Sequence, residues 1–229
     1  MSTGPTYVVA GTKSWNRRLF DSDIVEYPGQ WLYVDQRDQL SREMLCRISP
    51  RYVFFLHWSW KVPAEVYEMY ECVCFHMTDV PYGRGGSPLQ NLIARGHRET
   101  KLTALRMSGE LDAGPVYLKL PLSLEGSAEE IYIRATRLAS GMIRTIIQDE
   151  IQPTPQSGDP TYFARRKPEE SRLPGLDTLQ EVHDFIRMVD AEGYPKAFLD
   201  VGNLRIEFTR SGLYNGQVRA EASFRLLNE

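Results

Sequence analysis

The chain has 229 residues, of which 42% are hydrophobic, 25% charged and 11% aromatic, and it carries a net charge of −3. This composition is ordinary for a globular protein and excludes disorder, collagen and coiled coil. The acidic balance, with a pI near 5.9, advertises no nucleic-acid partner and weighs against RNA or DNA as substrate.

Length alone suits one domain, or one large domain with a small appendage, and roughly 70–75% of the unfolded surface can be buried without staples. Three cysteines (Cys46, Cys72, Cys74) and an opening MSTGPTYVVAGTKSW with no basic-then-apolar pattern lead to the expectation of a reduced, cytoplasmic, soluble protein without a membrane partner.

In chain order, Tyr7–Ala10 ends at Gly11 and reads as a first strand with a turn, and Trp31–Val34 is a weaker second run. Residues 36–48 carry Leu40, Met44 and Leu45 at helical spacing, which predicts an amphipathic helix. Tyr52–Leu56 is a continuous apolar run of the kind buried on both faces of a parallel sheet, and Cys72–Phe75 is another. Strand, helix, strand in this order means βαβ units. Ser87-Pro88 supplies an N-cap and an N1 proline for a further helix. Thr103–Met107 and Val116–Leu120 read as strands around a loop.

Ser127 to Glu130 is a capping box, followed by an apolar stripe of Ile131, Ala135, Leu138, Met142 and Ile146. Thr178 to Glu181 is a second capping box, opening a helix with Val182, Ile186 and Val189 inward. The Pro- and Gly-dense stretch between these helices reads as a surface linker. Beyond them lie Ala197–Val201, a Gly202-Asn203 turn, Leu204–Thr209 and Gln217–Leu226, all short strands. The expected fold is α/β: a Rossmann-like, mostly parallel sheet with helices on both faces over 1–152, a linker over 153–176, and a small C-terminal helix-plus-β subdomain over 177–229.

The densest chemistry lies in CVCFHMTDVPYGRGGSPLQNLI, residues 72–93. An apolar strand delivers His76 at its carboxyl end, where open α/β sheets place their sites. Asp112 lies in the loop Ser108–Pro115. A carboxylate that orients an imidazole makes a general acid–base pair. An isolated strand-end His is equally a core residue, and an Asp in a Gly-rich turn is equally a turn former. No G-x-G-x-x-G follows the first strand, no Walker lysine or G-x-S-x-G elbow occurs, and Cys72 and Cys74 lack partners at zinc spacing.

His76-Met77-Thr78-Asp79-Val80-Pro81 with Arg84-Gly85-Gly86-Ser87-Pro88-Leu89-Gln90 resembles the H-x-S-L-L-P-x-x-R-G-x-x-P-x-Q signature of the formyltetrahydrofolate-dependent formyltransferases. Leu111-Asp112-Ala113-Gly114 resembles that family's L-D-[TA]-G loop, 36 residues after His76. Ile186-Arg187-Met188 and Gly193 to Phe198 are similar to a later segment of amino-sugar and methionyl-tRNA formyltransferases. The C-terminal stretch is short for the tRNA enzyme, and FHMTDVPYGRGGSPLQNLI and RKPEES resemble the nucleotide-linked 4-amino-sugar branch.

The resemblance therefore implies formyl transfer from N10-formyltetrahydrofolate, a co-substrate, to the amine of a nucleotide-linked amino sugar in carbohydrate biosynthesis, with no metal and no nucleic acid, and it leaves a homodimer open. It implies catalysis by His76 and Asp112 and a reduced-folate site at Leu56, His57, Trp58, Ser59, Trp60, Lys61, Met107, Glu110 and Leu111. For the acceptor it implies Tyr82, Arg84, Gly85 and Gly86; the basic run Arg165-Arg166 after Tyr162 and Phe163, and Arg187, are acceptor candidates for a diphosphate, with a solvated surface as the bland reading. One departure stands out: Cys74 occupies the position of the family's Asn, two residues before His76 on the same strand face. Asn is a strong donor to an oxyanion and a thiol a weak one, and losing such a donor costs ~2.7–4 kcal/mol. Another donor, protonated His76, is expected to substitute. The alternatives are a catalytically impaired folate- or nucleotide-binding protein and a formyltransferase acting on a non-sugar amine.

Overall fold

A computed structural model describes residues 4–227. They form two compact units: one comprises the chain up to Arg84 with Lys101–Leu122 and Ile133–Tyr162, the other Gly85–Thr100, Ser123–Tyr132 and the chain from Phe163 onward. Elements run β1 (Thr6–Gly11), α1 (Ser14–Ser22), β2 (Gln30–Val34), α2 (Arg42–Ile48), β3 (Tyr52–Leu56), α3 (Ala64–Met69), β4 (Cys72–His76) and β5 (Arg84–Gly85). Then come α4 (Pro88–Ala94), β6 (Glu99–Arg106), β7 (Val116–Ser123), α5 (Ala128–Gln148), β8 (Tyr162–Phe163), α6 (Leu179–Arg187), β9 (Ala197–Val201), β10 (Leu204–Tyr214) and β11 (Gln217–Leu226). Among the described residues no helix is long and apolar enough to cross a membrane.

A six-stranded sheet in the order β2-β1-β3-β4-β6-β7 organises the first unit. β1 pairs with β2 and β3 in parallel, β3 with β4 in parallel, and β4 with β6 antiparallel. Parallel neighbours require crossovers, which α1, α2 and α3 supply in turn. Successive side chains point to opposite faces, so Val8, Ala10, Val53, Phe55 and Cys72 share one face with Leu45 of α2 and Val66 of α3. The alternate residues Tyr7, Tyr52, Phe54 and Phe75 stack with Trp31 on the other, with ring centroids 4.5 to 6.5 Å apart. All five residues of β3 are buried for this reason. Asn16 of α1 donates from Nδ2 to the Leu56 carbonyl (2.7 Å) and accepts from Thr136 Oγ1 (3.1 Å), which pins α1 to the carboxyl end of β3 and to α5.

The expected fold class is the observed one: a Rossmann-like, mostly parallel α/β sheet with a C-terminal β-rich part. Two local expectations are corrected. The helix expected over 36–48 begins only at Arg42, because Ser41 Oγ accepts from the Met44 amide (3.1 Å) and caps it there. The Ser87 side chain does not cap α4; its Oγ accepts from the Arg166 amide at 3.0 Å instead. α1, of nine residues, and α3, of six, went unread; neither has a side-chain N-cap to mark its start.

In the second unit, β9, β10 and β11 form an antiparallel sheet in the order β11-β10-β9. The Thr178 capping box is present, with Glu181 N donating to Thr178 Oγ1 (3.2 Å) and Thr178 N to Glu181 Oε2 (2.9 Å). Ile186 and Val189 are buried and Val182 half-buried, as the helical spacing predicts.

Candidate active site

His76 closes β4 and is 8% exposed. Its Nε2 lies 2.8 Å from the Gly83 carbonyl. A carbonyl oxygen only accepts, so Nε2 carries the proton. Thr78 Oγ1 donates to the same carbonyl (3.3 Å), and the Gly83 amide donates to Thr161 Oγ1 (2.7 Å), so the loop that fixes the imidazole is itself fixed. The other ring nitrogen, Nδ1, lies 3.5 Å from Asp112 Oδ2. The strand end and the loop after β6 thus bring together the acid–base pair read from the sequence. Cys74 is half-buried two residues before His76; burial first, and the Asp112 charge second, push its thiol above the ordinary range, so it remains S–H. Burial likewise pushes the Cys72 thiol up to about 12.

The Asp112 loop is held in an unusual backbone shape. Asp112 has φ +53°, a left-handed conformation that favours glycine and tolerates Asp. Gly114 follows because a Cβ there would lie 1.7 Å from the Arg106 carbonyl. Gln156 donates from Nε2 to the Asp112 and Gly114 carbonyls, both at 2.8 Å. Its Oε1 accepts from Arg84 Nε (3.1 Å) and Nη2 (2.9 Å), while Arg84 Nη1 reaches Glu110 Oε1 at 3.1 Å. Tyr162 Oη donates to the same Glu110 oxygen at 2.9 Å. Arg84, expected at the acceptor, is nearly buried in this network. Sequence reading missed Gln156 and Thr161, which sit in the stretch read as a surface linker, and placed Tyr162 beside the acceptor rather than on Glu110.

Among the residues expected at the folate, Leu56 is buried at the end of β3 and His57 follows with φ +52°. Burial, then the positive charge of Lys13, lowers the His57 pKa to about 3, so it is neutral. Trp58 and Met107 pack against the same apolar cluster as Cys74. Trp58 meets Trp60 edge-on at 4.9 Å, and Trp60 and Leu111 are exposed, Leu111 at 66%. Ser59, Lys61 and Glu110 are exposed. Two indoles, a thioether and an exposed Leu in one unit suit a flat heteroaromatic ring.

The remaining acceptor candidates divide. Tyr82 is half-buried in the turn after Asp79, its amide donating to the Asp79 carbonyl at 3.2 Å. Gly85 has φ +106°, and a Cβ there would meet the Phe163 carbonyl at 2.5 Å, so its role in the structure is the close approach of β5 to β8. A Cβ on Gly86 would meet Arg165 Cβ at 2.4 Å. Arg165 is exposed; Arg166 is half-buried over the Phe185 ring at 5.7 Å and donates to the Glu170 carbonyl. Arg187 is 2% exposed and donates to the Leu124 and Gly126 carbonyls and to Asp184. Its Nε and Nη1 are engaged within the second unit, while Nη2 is buried without a hydrogen-bond partner among the described residues.

Residues 168–225 match the family described as "Methionyl-tRNA formyltransferase, C-terminal domain". A solved structure of a methionyl-tRNA formyltransferase from Clostridium thermocellum is 40% identical, covers 97% of this chain and 99% of that one, and superposes with a TM-score of 0.92. The chain belongs to the formyltransferase family. The methionyl-tRNA formyltransferase of Sorangium cellulosum is 29% identical over 137 residues, 57% of this chain and 43% of that protein. HypX from Aquifex aeolicus in complex with tetrahydrofolic acid shares the fold, at 19% identity and a TM-score of 0.72 over 89% of this chain and 37% of that one. The chain spans about half the length of the curated relatives it matches.

These relatives overturn the nucleotide-sugar acceptor, its place in carbohydrate biosynthesis, and the exclusion of nucleic acid: the 40% identical formyltransferase is named for methionyl-tRNA, and the C-terminal stretch judged short for the tRNA enzyme matches that enzyme's C-terminal domain. The physical reason lies in what was read. Of the segments that resemble the sugar branch, FHMTDVPYGRGGSPLQNLI builds the end of β4, the loop around Gly83 and α4, and RKPEES a short turn over Pro168–Ser171; neither pattern identifies what carries the amine. A whole-chain pI averages over the surface and reports no local partner.

Proposed function

We propose that this protein transfers a formyl group from a formyl-tetrahydrofolate to the α-amine of methionyl-tRNA. The observation that carries the reading is the 40% identity to a methionyl-tRNA formyltransferase across 97% of the chain, with His76 and Asp112 set 3.5 Å apart at a strand end. The reduced folate, when bound, supplies the acyl carbon; Trp58, Trp60, Met107 and Leu111 would hold its ring. On this reading the enzyme works in the cytoplasm.

The residues divide the work as follows. The attacking amine must be neutral, and Asp112 takes up the proton it sheds on adding to the acyl carbon. His76, whose Nε2–H is held by the Gly83 carbonyl, works through Nδ1: protonated there, it stabilises the negative charge that develops on the acyl oxygen and gives that proton to the departing nitrogen, and Asp112, 3.5 Å away, returns to it the proton taken from the amine. Cys74 stands beside it as a neutral, weak donor. Imidazole and carboxylate are positioned before substrate arrives, so little reorganisation is left for the reaction.

The test is direct: the protein, a formyl-tetrahydrofolate and methionyl-tRNA are incubated, and the methionine released from the tRNA is weighed. The expected product is heavier by one CO. Unchanged methionine from a folded enzyme over many turnover times would overturn the reading.

A further inference from the structure

The segment after α5 lies outside both sequence motifs, yet it reaches the acid–base pair. The Gln156 amide has two N–H donors and two acceptor lone pairs. Both donors go to loop carbonyls, those of Asp112 and Gly114 at 2.8 Å, and the oxygen takes two bonds from the Arg84 fork at 3.1 and 2.9 Å. The two carbonyls that Gln156 grips flank the bend that turns the Asp112 carboxylate toward His76.

We propose that Gln156, braced by Arg84, is a positioning residue that sets the Asp112 carboxylate at His76; this rests on the formyl-transfer reading above. Asp112 is in a left-handed conformation that an isolated chain visits rarely. Within the Ser108–Pro115 loop and at its neck, bonds go to the Glu110 and Pro115 carbonyls: Ser108 Oγ (3.1 Å) and Ala113 N (3.4 Å) donate to the first, and Arg106 N (2.9 Å) to the second. Gln156 supplies two from outside the loop. Because the reaction needs the carboxylate within a fraction of an ångström of its place, a loosened loop costs turnover and leaves substrate binding largely intact.

Gln156→Glu separates the parts of the clamp. A carboxylate keeps the size and pairs with Arg84, but it has no N–H for the Asp112 and Gly114 carbonyls. The expected result is a kcat lower by about 10- to 100-fold, with the KM for formyl donor and for acceptor changed less than about threefold and the Tm within a few degrees of wild type. The same substitution in an Asp112→Asn background should cost nothing further, since the effect runs through Asp112. A kcat within twofold of wild type, or an equal loss in the Asp112→Asn background, would overturn the proposal. Should Gln156→Glu unfold, Gln156→Met, which fills the space without donors, is read in the same cycle. An inactive wild type would instead count against the formyl-transfer reading.

Discussion

Two sheets in this chain are built on opposite principles. β3 in the six-stranded sheet is buried at every position, while in β11 of the C-terminal sheet every residue but Val218 is exposed, Phe224 at 66%. The first is held by apolar burial on two faces. The second is buried at Ala197 and Phe198 of β9, and toward β11 it is held by its backbone ladder and by ion pairs such as Arg205–Asp200, Arg210–Glu221 and Arg225–Glu207. Surface pairs of this kind contribute little each. Chemistry that needs fixed atoms sits at the carboxyl ends of the rigid sheet, and the exposed sheet is free to vary at its surface.

That contrast has measurable consequences. The largest concerns Phe54, fully buried among Tyr7, Trp31, Tyr52 and Phe75. Phe54→Ala should cost about 3–5 kcal/mol in urea unfolding. A loss under 1 kcal/mol would mean that the parallel sheet is not the stabilising core.

A smaller effect comes from His57, at the carboxyl end of the same sheet. Folding lowers its pKa to about 3 by burial, so as pH falls through 6.5 the unfolded chain takes the proton first. Stability is therefore complete above 6.5 and is lost progressively from there down to about 3. Between pH 7 and pH 5 the wild type should lose about 2 kcal/mol more than His57→Asn, a change that keeps a residue tolerant of left-handed backbone. Parallel stability–pH curves for the two proteins would show that His57 is not held neutral by the fold.

The smallest effect belongs to the exposed sheet. Arg225→Ala removes a pair at 3.4 Å between a solvated arginine and a half-buried Glu207, and should shift stability by about 0.5 kcal/mol or less. A loss comparable with that of Phe54→Ala would erase the distinction between the sheets.

Much of the first sheet was legible because burial on both faces writes itself into sequence: Tyr52–Leu56 could hardly be anything but a central strand. His76 and Asp112 were legible because each ends or follows such a strand beside glycines. The Thr178 capping box was legible because its residues act within one turn. Gln156 was not, since its four hydrogen bonds go to residues 42 to 72 positions away and leave no local pattern. The burial of Arg187 was not legible for a related reason: its partners at Leu124 and Gly126 are 61 to 63 positions away. The acceptor was misread because the motif around His76 resembles the whole formyltransferase family and does not separate its branches.

The most direct measurement is formylation of methionyl-tRNA by wild type and by Asp112→Asn, with kcat and KM for both substrates and a Tm for each protein. The expected result is formylmethionyl-tRNA from the wild type, and a kcat lower by about 10²- to 10⁴-fold in a variant that folds normally. A wild type that leaves methionyl-tRNA unmodified, or an Asp112→Asn variant that turns over as fast as the wild type, would contradict the assignment of the His76–Asp112 pair as a formyl-transfer site.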